Sequence, residues 1–167
     1  VEAALSFANV SKTFFGDLNI GKQRVLDDIT FTVPAGSVFG FLGPNGSGKT
    51  TSIKCALGLI FPDRGEIQLL GRSAPEPESR RDVAYLPEHP YFYDYLTGAE
   101  FVDFAGHLGG LNRDERRERV PLALARVGLA DAAHVPLRKY SKGMLQRAGL
   151  AQVDLCQPRL AVLDEPM

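Results

Sequence analysis

The chain has no tryptophan and only two cysteines, Cys55 and Cys156. These two make neither a disulfide framework nor a metal-ligand cluster, so a reduced, cytosolic compartment is the simplest expectation. An excess of either charge is also lacking: 19 Lys and Arg stand against 20 Asp and Glu, a net charge of −1. Without a basic footprint, nucleic acid is not expected as the main ligand. No apolar run approaches the roughly 18 residues needed to cross a bilayer. Glu2 and Asn9 stand where a signal peptide would need an apolar block. Internal repeats and low-complexity tracts are absent. What remains is an ordinary globular composition, 44% hydrophobic over 167 residues, enough for one domain with a real core.

Apolar patterning divides the chain into strands, then helices, then a strand. Ala3, Leu5 and Phe7 alternate with Ala4 and Ser6, which predicts a strand over 3–10. Gly16 to Lys22 reads as a polar turn, and Val25 to Val33 as a second strand. Ser37 to Leu42 is nearly continuous in apolar residues, as expected of a strand buried on both faces. A helix is predicted from Lys49 to Leu59, with Ile53, Ala56, Leu57 and Ile60 on one face. Gly65 to Leu70 and Val83 to Leu86 read as further strands. Thr97 with Glu100, and Asn112 with Glu115, have the spacing of capping boxes and open two helices. The mixed charges from Arg113 to Arg119 read as a solvated helix face. A third helix is expected from Ser141 to Leu155, and a last buried strand from Arg159 to Leu163. The pattern predicts an α/β core with an inserted helical subdomain.

Gly43-Pro44-Asn45-Gly46-Ser47-Gly48-Lys49-Thr50 fits the pattern G-x-x-x-x-G-K-[ST]. A polyphosphate needs several N–H donors converging on one anion, and a glycine-rich turn lets the backbone curl that tightly. The predicted helix adds the positive end of its dipole. Lys49 would neutralise the outer phosphates, and the Thr50 hydroxyl would ligate Mg²⁺. A buried strand before the loop and an amphipathic helix after it are the context this reading requires. The apolar run Leu160 to Leu163 ends in Asp164-Glu165, two carboxylates at a strand end. Ligands of open α/β sheets gather there. Asp164 is placed to hold Mg²⁺, and Glu165 to polarise an attacking water.

GPNGSGKTT at 43–51, YSKGMLQR at 140–147 and LAVLDEP at 160–166 stand in order along the chain. This set resembles the ATP-binding cassette (ABC) ATPases, the nucleotide-binding subunits of ABC transporters, over the whole chain. The resemblance implies a P-loop NTPase core sheet with a helical subdomain. Residues 1–90 would form the nucleotide-binding core, 91–156 the helical subdomain, and 157–167 the return to the core. Walker A is then 43–51, including Thr51, and Walker B ends in Asp164 and the catalytic Glu165. The signature departs from the common Leu-Ser-Gly-Gly-Gln, but Ser141 and Gly143 are kept. Ser141 is a helix N-cap in any case. The resemblance makes it also a contact to ATP held by a second subunit, so that two cassettes close head-to-tail over two ATP molecules.

Other implied roles are looser. Phe14 falls where the family stacks an aromatic on adenine, with Phe15 as its rival and a strand-end core residue as the plainer alternative. Glu88 replaces the usual Gln of the Q-loop and is a candidate Mg²⁺ ligand. Tyr91, Phe92, Tyr93 and Tyr95 either pack the helical subdomain or face a permease. The sequence is thus expected to be an ATPase subunit on the cytoplasmic face of a membrane, of the bacterial export type, using ATP and Mg²⁺. Its expected partners are a second ATPase subunit and a separate permease. Alternatives are a nucleotide-binding piece that does not turn over, and a soluble ABC ATPase of DNA repair or translation. Family members continue past Walker B to a further strand and a switch histidine, whereas His89, His107 and His134 all precede Asp164. The chain is therefore expected to stop short of the complete core, and to be poorly stable and weakly active by itself.

Overall fold

Two long strands open the structure because β-branched and aromatic residues recur through both with no interior glycine or proline. They are β1, Ala3–Phe15, and β2, Lys22–Pro34. The computed structural model describes residues 2–15, 21–88 and 90–165. Residues 16–20 of the turn expected from Gly16 to Lys22, with His89, Pro166 and Met167, lie outside the described residues, and Lys22 already belongs to β2. The chain divides into two compact units, 1–83 and 84–167.

In the first unit β1 is central to an antiparallel sheet of order β2-β1-β3-β4, where β3 is Arg64–Leu69 and β4 is Arg72–Ser73. The simple alternation expected for β1 does not hold. Ala4, Phe7 and Val10 are the buried residues, and Ala3 and Leu5 are only half-buried. The register with β2 slips between Ala3 and Leu5 and again between Phe7 and Val10, around Asn9 with its φ of 52°. Each slip turns the following side chains to the other face. Asn9 is held there by Asp28 Oδ1 at 2.9 Å and by Thr30 Oγ1 at 2.9 Å.

Helix α1 spans Lys49–Ala56, shorter than the sequence predicts. It stops because Gly58 turns left-handed, φ 66°, and donates to the carbonyl of Cys55. Its inner face is Ser52, Cys55 and Ala56, with Leu57 after them, rather than Ile53 and Ile60. A second correction concerns residues 37–42, which form no strand. Val38 and Leu42 are fully exposed, while Phe39 and Phe41 lie 5.6 Å from the ring of Phe31, itself stacked on Phe7 at 4.6 Å. A strand exists only where a neighbour takes up its N–H and C=O groups. Among the described residues no strand lies beside this segment, so only Phe39 and Phe41 find cover, on the nearest aromatic face.

The second unit is built on α2 (Gly98–Leu108), α3 (Arg113–Arg126) and α4 (Lys142–Leu155). Phe101 and Val102 of α2, Ala123 and Leu124 of α3, and Ala148, Ala151 and Leu155 of α4 share one core. Leu129, Leu137 and Tyr140 close it from the connecting segment. The Tyr140 hydroxyl donates to the Ala132 carbonyl at 2.7 Å. β5 (Val83–Leu86) and β6 (Leu160–Leu163) pair as a separate two-stranded sheet. β6 is half-exposed rather than buried, and Leu163 keeps 37% of its surface. With one strand neighbour among the described residues, its other edge and much of its faces stay open.

Both expected capping boxes are present. Glu100 accepts from the Thr97 N–H and hydroxyl, each at 2.8 Å, and donates its own N–H to the Thr97 hydroxyl at 3.2 Å. These bonds, the Thr97 N–H first, hold the Glu100 carboxyl below its ordinary range. The stability they contribute is present above the unfolded-state pKa and is lost as pH falls through the folded one. We therefore expect α2 to loosen in that acid window. Glu100→Gln should remove the step from an acid titration followed by circular dichroism.

Candidate functional site

Residues 41–47 are exposed and Gly48 is buried at the start of α1. Gly46 and Gly48 carry φ of 81° and 91°, a region open to glycine at no steric cost. A Cβ on Gly48 would lie 2.7 Å from Leu26 Cδ2 and 2.9 Å from the Val25 carbonyl, so only hydrogen fits between the helix start and β2. A Cβ on Gly43 would lie 2.7 Å from Ser47 Oγ. The loop between them closes through Ser47 N–H to the Pro44 carbonyl at 3.2 Å. The Lys49 ammonium folds back across it, donating to the carbonyls of Gly43 at 2.8 Å and Pro44 at 3.1 Å. Two of its three N–H donors are thus used.

Helix α1 has no side-chain cap and no acid in its first turn. α4 also begins without an acid, with Lys142 as its first residue. By contrast, α2 begins with Glu100 and α3 with Asp114 and Glu115. Among the described residues, two of the four α-helices therefore keep their positive N-terminal end uncompensated by a carboxylate. They are the two in which the sequence places the phosphate loop and the signature. At α4, the Ser141 hydroxyl accepts the Met144 N–H at 3.2 Å and is exposed. Open space surrounds Gly143, so backbone there is accessible. Arg147, on the same helix, donates to the carbonyls of Val127 and Gly128 at 3.2 Å and caps the end of α3.

Asp164 is buried, and its N–H donates to the Leu86 carbonyl at 2.9 Å. This ties the carboxylate to the end of β5. Burial and then the Asp164 charge push the Tyr85 hydroxyl up. Glu165 is exposed and takes the left-handed backbone, φ 50°, uncommon for a non-glycine residue. Glu88 is exposed two residues beyond Leu86, so the second unit brings Glu88, Asp164 and Glu165 to one end of its small sheet. Among the described residues, no three of His, Cys, Asp and Glu converge as a metal cluster. Thr50 in the first unit and Asp164 in the second each carry a hard oxygen of the kind that suits Mg²⁺.

Phe14, the last residue but one of β1, has 38% of its surface exposed, and Lys12 Nζ lies 5.6 Å from its ring centre. Its rival Phe15 is 57% exposed under Lys22, also at 5.6 Å. The aromatic run divides. Phe92 packs edge-on to Phe101 at 5.0 Å, while Tyr91, Tyr93 and Tyr95 are exposed. Asp63 carries no functional reading in the sequence, and Arg147 enters it only within the signature stretch 140–147. Asp63 meets β1 about fifty residues away along the chain, and Arg147 meets α3 about twenty away, beyond any local spacing rule.

The ABC transporter family profile matches residues 26–167. The chain belongs to the ABC transporter family. An uncharacterized ABC transporter ATP-binding protein of Nostoc sp. is 47% identical over 144 residues, covering 85% of this chain and 43% of that protein. The Nod factor export ATP-binding protein I of Sinorhizobium fredii is 35% identical over 167 residues, covering 99% of this chain and 47% of that protein. A solved structure titled as the ATP-binding subunit of an ABC transporter matches with a TM-score of 0.83 at 36% identity, over 98% of this chain and 67% of that one. The chain thus spans about half the length of the curated relatives it matches. Among the described residues, no helix of this ABC family member is long and apolar enough to cross a membrane.

The two glycines at the helix starts make opposite predictions. Gly48→Ala should destabilise by about 1–3 kcal/mol, because the backbone is left-handed and the space is filled. Gly143→Ala should be neutral or stabilising, since alanine is the better helix former and meets nothing. Denaturant midpoints of the two variants check this.

Proposed function

We propose that this ABC family member is the ATP-binding and ATP-hydrolysing part of a transporter, driving a separate membrane permease. The observation that carries this reading is the start of α1: an uncapped helix N-terminus behind a glycine loop, with the Lys49 ammonium lying across the loop. Such a site takes a polyphosphate. In this reading Gly43, Pro44, Asn45, Gly46, Ser47 and Gly48 cradle the phosphates with their backbone, while Lys49, Thr50 and Thr51 supply the first turn of the helix. Lys49 exchanges its bonds to Gly43 and Pro44 for the β- and γ-phosphates and stabilises charge on the transferring group. Thr50 and Asp164, with Glu88 as a further candidate, hold Mg²⁺, which supplies charge neutralisation on the phosphates. Phe14 offers an exposed ring to the base. Glu165 is the general base that polarises the attacking water.

The acid-free N-terminus of α4 supports a second anion contact, through Ser141 and the open backbone at Gly143. We assign it to ATP bound by a second copy of the subunit, so that ATP joins two cassettes head-to-tail. The nucleotide then favours the closed dimer because it binds that state best. Residues 1–90 act as nucleotide-binding core, 91–156 as helical subdomain and 157–167 as the return to the core. Exposed Tyr91, Tyr93 and Tyr95 suit a permease contact, where aromatic residues are enriched. The Nod factor relative and the SkfA peptide export ATP-binding protein SkfE of Bacillus subtilis are named for export, which favours an exporter. The site of action is the cytoplasmic membrane surface.

Two substitutions test this reading. Lys49→Met should abolish ATP binding measured by calorimetry. Glu165→Gln should bind ATP, lose about 10²–10⁴-fold in phosphate release, and accumulate as an ATP-bound dimer. Parental turnover in Glu165→Gln would remove the base assignment. Binding without any phosphate release by the parent would leave a nucleotide-binding protein that does not turn over.

A further inference from the structure

β3 supports β1 only as far as Ser11, which pairs with Arg64. Beyond that point Lys12, Thr13, Phe14 and Phe15 have β2 on one side and no strand on the other among the described residues. Asp63, the residue before β3, takes over the open side. Its N–H donates to the Ser11 carbonyl at 2.9 Å. One carboxylate oxygen accepts the Thr13 N–H at 2.7 Å, where the next ladder bond would have been. The other accepts from Lys12 Nζ at 2.9 Å. That ammonium, whose side chain is only 16% exposed, lies 5.6 Å from the centre of the Phe14 ring. Lys12 and Phe14 are two apart on one strand and so share a face. The carboxylate thereby fixes the backbone on one side of Phe14 and the cation beside its ring.

We infer that Asp63 and Lys12 are positioning residues for base recognition: they hold Phe14 near the strand end, with the ammonium over its ring and its exposed surface offered to a purine. The inference rests on the proposed role of Phe14. Asp63 touches neither base nor phosphate in this arrangement and acts through Lys12 and Thr13. The bonds from Lys12 and Thr13 hold the Asp63 carboxyl below its ordinary range, so the carboxylate stays charged at neutral pH.

The test compares a ligand with a base and one without. ATP and inorganic tripolyphosphate are titrated into the full chain and into Phe14→Ala, Asp63→Asn, Asp63→Glu and Lys12→Met. Phe14→Ala should weaken ATP about tenfold and leave tripolyphosphate unchanged. Asp63→Asn and Lys12→Met should each weaken ATP roughly three- to tenfold, again sparing tripolyphosphate, as expected from loss of a cation–π contact and its anchor. Asp63→Glu should recover part of the loss. Equal weakening of both ligands by Asp63→Asn or Lys12→Met would make the pair merely structural and overturn the inference. So would unchanged ATP affinity in both while Phe14→Ala is impaired. If Phe14→Ala binds ATP normally, the base-stacking role itself is wrong and the inference falls with it. Lys12→Met keeps the aliphatic stem and reads the same question should Asp63→Asn not fold.

Discussion

A glycine with no room for a side chain controls the start of α1. Gly48 is buried and left-handed, and Leu26 and Val25 stand where its Cβ would project. That close approach brings the helix start onto β2 and turns the chain so that the preceding loop stands exposed in front of it. The loop presents its backbone because the helix behind it is pinned. Lys49 follows directly, and its ammonium reaches back to two loop carbonyls. The exposed backbone of the loop in the first unit depends on this one close approach.

Electrostatics then separates the α-helices by what stands in their first turns. α2 and α3 satisfy their N-terminal donors with carboxylates in full capping boxes. Their dipoles are neutralised locally, and these helices serve packing. α1 and α4 have no carboxylate there, so their N-termini remain favourable places for an external anion. Helices of similar build thus differ in the electrostatics of their N-termini according to one or two residues each. Just past β6 in the second unit, the two carboxylates also differ in burial. Asp164 turns inward and is tied to β5, and Glu165 turns outward into solvent.

Much of this was legible in the sequence where the signal is local. The capping boxes at Thr97 and Asn112 and the N-cap at Ser141 depend on residues a few positions apart and take the expected form, and at the glycine loop Gly46 and Gly48 turn left-handed. Apolar runs were less reliable. The segment 37–42 has the composition of a buried strand but, among the described residues, no partner strand, and it stays exposed around Phe31. β6 is a strand, yet half-exposed, because pairing and burial are separate conditions. Along β1 the period of two fails where the register slips at Asn9.

By itself, the sequence determined which residue types sit together at short range: the glycine loop and its lysine, the acidic pair after Leu163, and the helices with their caps. These follow from backbone sterics and from hydrogen bonds that span a few residues. Only the tertiary structure decided that Asp63 completes the ladder beside Phe14 and that Arg147 closes α3. It alone decided that Phe92 is core while Tyr91 is surface. Each of these joins groups far apart in sequence, or sets burial by what another element covers. No periodicity records such meetings, because their free energy appears only when the chain has folded.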